Sequence, residues 1–319
     1  MAAFAGSVNM LLLVVFLRSC ADSLFAPAKQ TAIQRLCEKE QLPKYNGYSH
    51  AINQSSKVLG PAIGGALMLV LPIPGIFMVN ALISLISIVF FVGLVIPNAQ
   101  EDPTDKPEVE QNSRLQAVLA FLRTNPVVLA SLALMMFSYL ILFMYDRFIP
   151  FIIDDFGFSS SFYSIVVSFV GVGGVIGALL APKMIRLLAF WPQIALGFSI
   201  NALYLALIGY WLRAGMTPQS AALLLVFMVA GFSSALVMVV LRCLLQENTA
   251  PKQMGQVFSY AEAVSTLAML GGPFLGTYLS SSLGYDGLFT VCMSAFLCLA
   301  LLVMTTRIFI SLRNSKQLG

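Results

Sequence analysis

The chain has 319 residues, of which 59% are hydrophobic and 10% charged, with a formal net charge of +4 and a mean hydropathy of +0.88. A water-soluble globule carries nearer a quarter charged residues, so this composition excludes one and indicates an integral, all-α membrane protein. Basic loops on one side of a bilayer produce the same positive excess, so nucleic acid is not needed as a partner to explain it.

Crossing a bilayer takes about 20 apolar residues per helix. Runs of that kind fall at 8–28, 49–71, 76–96, 125–149, 160–182, 190–212, 219–244, 256–280 and 284–310, predicting nine spans. The first span carries Arg18 and Asp22, four apart and therefore on one helix face. A charge at bilayer depth costs about 2.5–3.5 kcal/mol, so such groups face a cavity or each other. Two readings follow: Asp22 carries a proton while Arg18 holds its ionised form, or the two form a static pair that orients the helix.

The second span opens at His50, which reads as an interfacial polar residue, and contains Gly60, Pro61, Gly64 and Gly65. Missing side chains let a neighbouring helix approach closely, and Pro61 deletes a backbone hydrogen bond and permits a kink. Pro72-Ile73-Pro74-Gly75 then makes a turn into the third span. Residues 96–116, "IPNAQEDPTDKPEVEQNSRLQ", are rich in proline and acid and read as a flexible tether. The expected organisation is therefore a three-helix bundle at 1–96, a linker at 97–124 and a six-helix bundle at 125–319.

In the second bundle, Asp146, Arg147, Asp154 and Asp155 read as solvated rim charges beyond the fourth span. The eighth span carries Glu262 deep in an apolar run, a candidate for a cavity-facing role, followed by Gly272, Pro273 and Gly276. A turn at Gly284-Tyr285-Asp286-Gly287 separates the last two spans.

"LGPAIGG" at 59–65 is echoed by "GGPFLGT" at 271–277, and "GIF" at 75–77 by "GLF" at 287–289, both at an offset of 212 residues. His50 and Glu262 share that offset. Parallel repeats about an axis normal to the membrane build two-halved transporters. Spans one to three then pair with seven to nine, and the chain reads as the last nine helices of a twelve-helix plan. Placing 29–57, 97–124, 183–189, 242–255 and 307–319 in the cytoplasm puts 15 of the 18 lysines and arginines there. Met1 is then outside and the C-terminus cytoplasmic.

The chain resembles the major facilitator superfamily, within the branch of bacterial macrolide-efflux and enterobactin exporters. The resemblance lies in "ADSLFAPAKQTAI" (21–33), "EQLPKYNGYSHAINQSSKVLGPAIGG" (40–65) and "NALISL" (80–85). Gly60-Pro61-x-x-Gly64-Gly65 resembles the antiporter motif of helix five, and Arg18 the arginine of helix four, with Asp22 where a glycine is usual. "APKQMGQV" (250–257) resembles the segment before helix eleven, with Gln256 in place of arginine, and "GALLAPKMIRLL" (177–188) keeps Gly177, Lys183 and Arg186 of a cytoplasmic motif but lacks its acid. The resemblance implies a major-facilitator-like fold, a monomer in the bacterial inner membrane and proton-coupled export of a small amphiphile.

No catalytic constellation can be assembled, and no phosphate-binding loop is present, so the chain reads as neither an enzyme nor an ATP-driven pump. Cys20, Cys37, Cys243, Cys292 and Cys298 lack CxxC spacing, and there is one histidine, so no disulfide framework, metal or other cofactor is expected. The expected partners are lipid, substrate and protons. The alternatives are a truncated, non-transporting membrane protein and an importer of an unrelated solute.

Overall fold

The computed structural model describes residues 8–92, 125–250 and 253–315; the tether at 97–124 lies outside them. The described backbone is helical throughout its regular elements: α1 (Val8–Leu36), α2 (Leu42–Val70), α3 (Ile73–Val92), α4 (Pro126–Tyr145), a short α5 (Ile149–Asp155), α6 (Ser160–Leu188), α7 (Phe190–Ala214), α8 (Ser220–Glu247) and α9 (Met254–Ser315). Each apolar run of the sequence falls on one of these elements. By length and composition, five helical stretches could cross a membrane: Pro126–Asp155, Phe162–Leu188, Phe190–Ala214, Ser220–Glu247 and Met254–Thr305. Pro74–Phe90 in α3 is a shorter apolar stretch.

The ends of these helices follow local chemistry. Proline stands in the first turn of α2 and α4, where its missing N–H costs nothing. Gly215 ends α7 in the left-handed conformation and donates its N–H to Leu212 O. Gly284 (φ 73°, ψ 176°) breaks α9 into two limbs at the predicted turn, in a region that side chains avoid. Ala189, between α6 and α7, is the one described non-glycine at positive φ (60°, with ψ 176°). Relieving that strain by Ala189→Gly should stabilise the protein by about 1 kcal/mol, read as a higher midpoint in a detergent thermal melt.

The internal repeat extends to the helix ends. Shifted back by 212 residues, α8 falls on 8–35, against α1 at 8–36, and the first limb of α9 falls on 42–71, against α2 at 42–70. The second limb then begins where α3 begins.

Packing is closest where glycines let backbones meet. A Cβ on Gly173 of α6 would overlap Met228 O of α8, and one on Gly231 of α8 would overlap Val170 O of α6. Gly272 and Gly276 seat α9 on α4 in the same way: a Cβ at Gly272 would lie 2.8 Å from Phe143 Cβ, and one at Gly276 would overlap Met144 O. Around these crossings lies an apolar core that includes Val128, Leu205, Leu223, Leu241 and Leu288. α2 attaches to this core through Gly47, which faces Ala178 O of α6, and through Gln54, which lies against Gly174.

The first-half glycines behave differently. Gly60 is exposed, and a Cβ there would meet nothing within 4 Å. Pro61, Gly64 and Gly65 lie within α2, with side chains outside the described set. α1 and α3 expose apolar side chains such as Leu24, Val89 and Phe90, each more than 70% exposed. The related limbs in the second half are covered by α4, α6 and α7, which have no 212-offset counterparts within residues 1–319.

Candidate functional site

Between α2 and the second bundle lies a cavity of about 120 Å³. From α2 come His50 and Gln54, one turn apart on one face. α4 contributes Ser138, Tyr139, Leu142 and Tyr145, α7 contributes Phe198 and Asn201, α8 contributes Ser234, Val237 and Met238, and α9 contributes Phe296.

The polar groups are held from behind. Asn201 is buried; its amide donates to Gly197 O at 3.0 Å, and its Oδ1 accepts from Ser233 at 3.1 Å and Ser234 at 3.3 Å. The Tyr145 and Tyr204 hydroxyls hydrogen-bond to each other, and the Tyr145 ring packs against Phe289. The lining is therefore neutral apart from whatever charge His50 carries, with aromatic and thioether surface beside amide and hydroxyl groups. Such a wall suits an amphiphile: the rings and Met238 take its apolar body and the fixed dipoles its polar groups.

One turn from His50 on the same face of α2, Asn46 begins a buried lattice that joins the two halves. Asn46 donates to Gln246 Oε1 and, at 3.5 Å, to Cys243 Sγ, both on α8. Gln246 donates to the Gln30 carbonyl at 3.3 Å and its Oε1 at 3.2 Å, so α1 is bound to the same residue. Gln34 of α1 donates to Gln246 O and Thr249 O, both at 3.0 Å. Gln30, Asn46, Cys243 and Gln246 are all at most 5% exposed.

Beyond the lattice is a second hollow of about 370 Å³, lined by Gln34, Cys37, Leu42, Gln246 and Thr249 among others. Along α2 the order is Gln54 and His50 at the cavity, Asn46 in the lattice and Leu42 at the hollow. Along α8 it is Ser234 and Met238, then Cys243 and Gln246, then Thr249 beyond the helix end. The lattice is thus a plug between two hollows, built across the seam between the halves.

The plug is not tightly sealed. Gln34 Oε1, Asn46 Oδ1 and Thr249 Oγ1 are buried with no hydrogen-bond partner in the protein. Across the same seam, Lys29 of α1 is desolvated and repelled by Arg242 of α8. A polar network that leaves members unpaired, next to like charges, gives up much of its strength.

The residues singled out in the sequence lie elsewhere. Arg18 and Asp22 form an ion pair at 3.7 Å (Nε to Oδ2) on α1, with side chains 77% and 71% exposed, away from the cavity lining. Glu262 is half-buried on the first limb of α9 and does not line the cavity either. The contact at Gly272 and Gly276 is internal to the second bundle, between α4 and α9. Arg147, Asp154 and Asp155 are exposed, while Asp146 is half-buried.

His50, expected at the membrane interface, is instead on the cavity wall. Asn46, Gln54, Asn201 and Gln246 were not identified from the sequence. Their only signal was that each is an amide within or beside an apolar run, as in "FSINALYL" around Asn201.

Comparison with known proteins adds the following. The family model for the Major Facilitator Superfamily matches residues 1–212. Macrolide efflux protein A of Streptococcus pyogenes is 26% identical over 305 residues, covering 92% of this chain and 72% of the relative. Macrolide efflux protein A of Enterococcus faecalis is 27% identical over 273 residues, covering 82% and 80%.

Two solved structures share the fold. A bacterial homologue of the iron transporter ferroportin, in an outward-facing state, superposes with a TM-score of 0.68 at 16% identity, covering 94% of this chain and 75% of that one. The human organic anion transporter MFSD10 (TETRAN) gives 0.65 at 18% identity, covering 87% and 67%.

Proposed function

Since the chain belongs to the major facilitator superfamily, we propose that it is a secondary transporter that exports small amphiphilic compounds of the macrolide type across a bacterial inner membrane. The observation that carries this reading is the neutral, aromatic-lined cavity at the seam between the halves, closed on one side by a buried amide plug. Alternating access requires a site between two bodies whose contacts can be made and broken. The efflux relatives supply the direction of transport.

In this reading the chain crosses the membrane nine times, as α1, α2, α3, α4 with α5, α6, α7, α8 and the two limbs of α9. The plug and the C-terminus face the cytoplasm. Gly60, Pro61, Gly64 and Gly65 on α2, with Gly272, Pro273 and Gly276 on α9, are yielding points that let helices shift as the halves rock. Protons drive export, and Asp22 takes part while Arg18 stabilises its carboxylate. Glu262 is a second candidate for the proton path.

The test is export of a radiolabelled macrolide from inverted vesicles or proteoliposomes holding the full chain, with and without an imposed proton gradient. Gradient-dependent movement supports the reading, and Asp22→Asn is expected to lose at least about tenfold of the driven rate. Undiminished driven export by Asp22→Asn removes that residue from coupling. A folded chain that moves no macrolide favours the non-transporting alternative.

A further inference from the structure

His50 is the chain's one histidine, and histidine is the side chain whose ordinary titration range spans neutral pH. It lies at the cavity wall on α2, four residues from the plug residue Asn46 and four from Gln54, so cavity and plug share one helix stripe.

The groups around that wall are otherwise neutral near pH 7. α4 presents the phenols Tyr139 and Tyr145, α7 presents Asn201 and Phe198, α8 presents Ser234, Val237 and Met238, and α9 presents Phe296. α6 meets α2 through Gly174 and Ala178. Of the charged residues on these helices, Lys44 of α2, Lys183 and Arg186 of α6, Arg242 of α8 and Glu262 of α9 are absent from the lining.

We propose that His50 is a proton-binding residue of the cavity and that its protonation releases the amide plug between Asn46 and Gln246. A cavity of about 120 Å³ offers an imidazolium little water. Desolvation disfavours the charged form, so protonation favours whichever state hydrates the site. Opening the plug joins the cavity to the hollow of about 370 Å³ beyond it and hydrates His50. Deprotonation then favours reclosure. This rests on the transporter reading, and it adds a proton site distinct from Arg18 and Asp22.

Cys243 reports the plug directly, because its thiol is fully buried beside Asn46. The full chain in proteoliposomes is treated with N-ethylmaleimide at pH 5.5 and pH 8, and alkylation at Cys243 is read by peptide mass spectrometry. Comparing proteins at the same pH cancels the thiol's own ionisation. One unit of difference in the imidazole's affinity for protons between the closed and open states corresponds to about tenfold in open population. The wild type should therefore label about tenfold faster than His50→Gln at pH 5.5 and equally at pH 8. His50→Lys, carrying a fixed charge, should label fast at both.

Equal rates for wild type and His50→Gln at pH 5.5, or slow labelling of His50→Lys at pH 8, would overturn the proposal. The labelling needs no substrate, so the two readings fail separately. Histidine-dependent labelling in a chain that moves no macrolide sinks the export reading alone. Driven macrolide export with labelling indifferent to residue 50 sinks this one alone.

Discussion

Replacing Gly231 by leucine will part α8 from α6 and leave little folded protein. A Cβ at this position already falls on the Val170 carbonyl, and the facing Gly173 stands in the same relation to Met228. The obstruction is backbone, which cannot rotate aside as a side chain tip can. Either the two helices separate along their whole contact or the core of Leu223, Leu241 and their neighbours loses its packing. Overpacking in a rigid core costs about 1–3 kcal/mol, and a clash with main chain belongs at or above the top of that range. That is a large part of the 5–15 kcal/mol by which domains are ordinarily stable. Size-exclusion profiles of detergent-extracted protein should lose the monodisperse peak. Gly60→Ala is the matched control: nothing lies within 4 Å of its Cβ, and alanine in a helix interior gains about 0.5–1 kcal/mol over glycine. It should leave the peak intact and raise the melting midpoint slightly.

Replacing Gln246 by leucine will open the plug without unfolding the bundle. Its side chain holds both Asn46 and Gln30, so leucine strands the Asn46 amide and the Gln30 carbonyl groups in a buried seam. Each stranded group costs about 1–3 kcal/mol, and together about 3 kcal/mol, which moves the closed-to-open ratio on the order of a hundredfold. The Gln34 bonds survive, since they go to the backbone carbonyls of Gln246 and Thr249. Alkylation of Cys243 should accelerate on that scale at neutral pH, and driven export should fall because the two sides of the cavity are no longer closed in turn. Unchanged protection of Cys243 would mean that the seam is held by apolar contact between α2, α6 and α8, with the amides contributing little.

The two glycine motifs show where reading residues in order stops. Their sequences are related by one offset, and the helices that carry them end at matching positions. Yet Gly272 and Gly276 lie against α4, while Gly60 faces open space. A motif states what a helix can tolerate beside it, and only the position of other helices decides whether anything is there. The charges make the same point. Arg18 and Asp22 were legible as partners from their four-residue spacing, and they pair. Which way that pair faces depends on how α1 is rotated against α8 and α9, and no local pattern encodes that.

Composition and order alone determined that this is a helical membrane protein, where its helices lie, that they repeat at 212 residues and which family they resemble. Those properties are local or additive: apolar length sets a span, turn residues end it, and a repeat keeps its register. The tertiary structure alone decided that His50 is on a cavity wall, that Asn46 and Gln246 meet from opposite halves, and that Cys243 is sealed between them. Asn46 and Gln246 are 200 residues apart in the chain. An isolated amide in an apolar run carries no mark of its partner, because the partner is chosen by the crossing of α2 over α6 and α8, which close glycine packing sets.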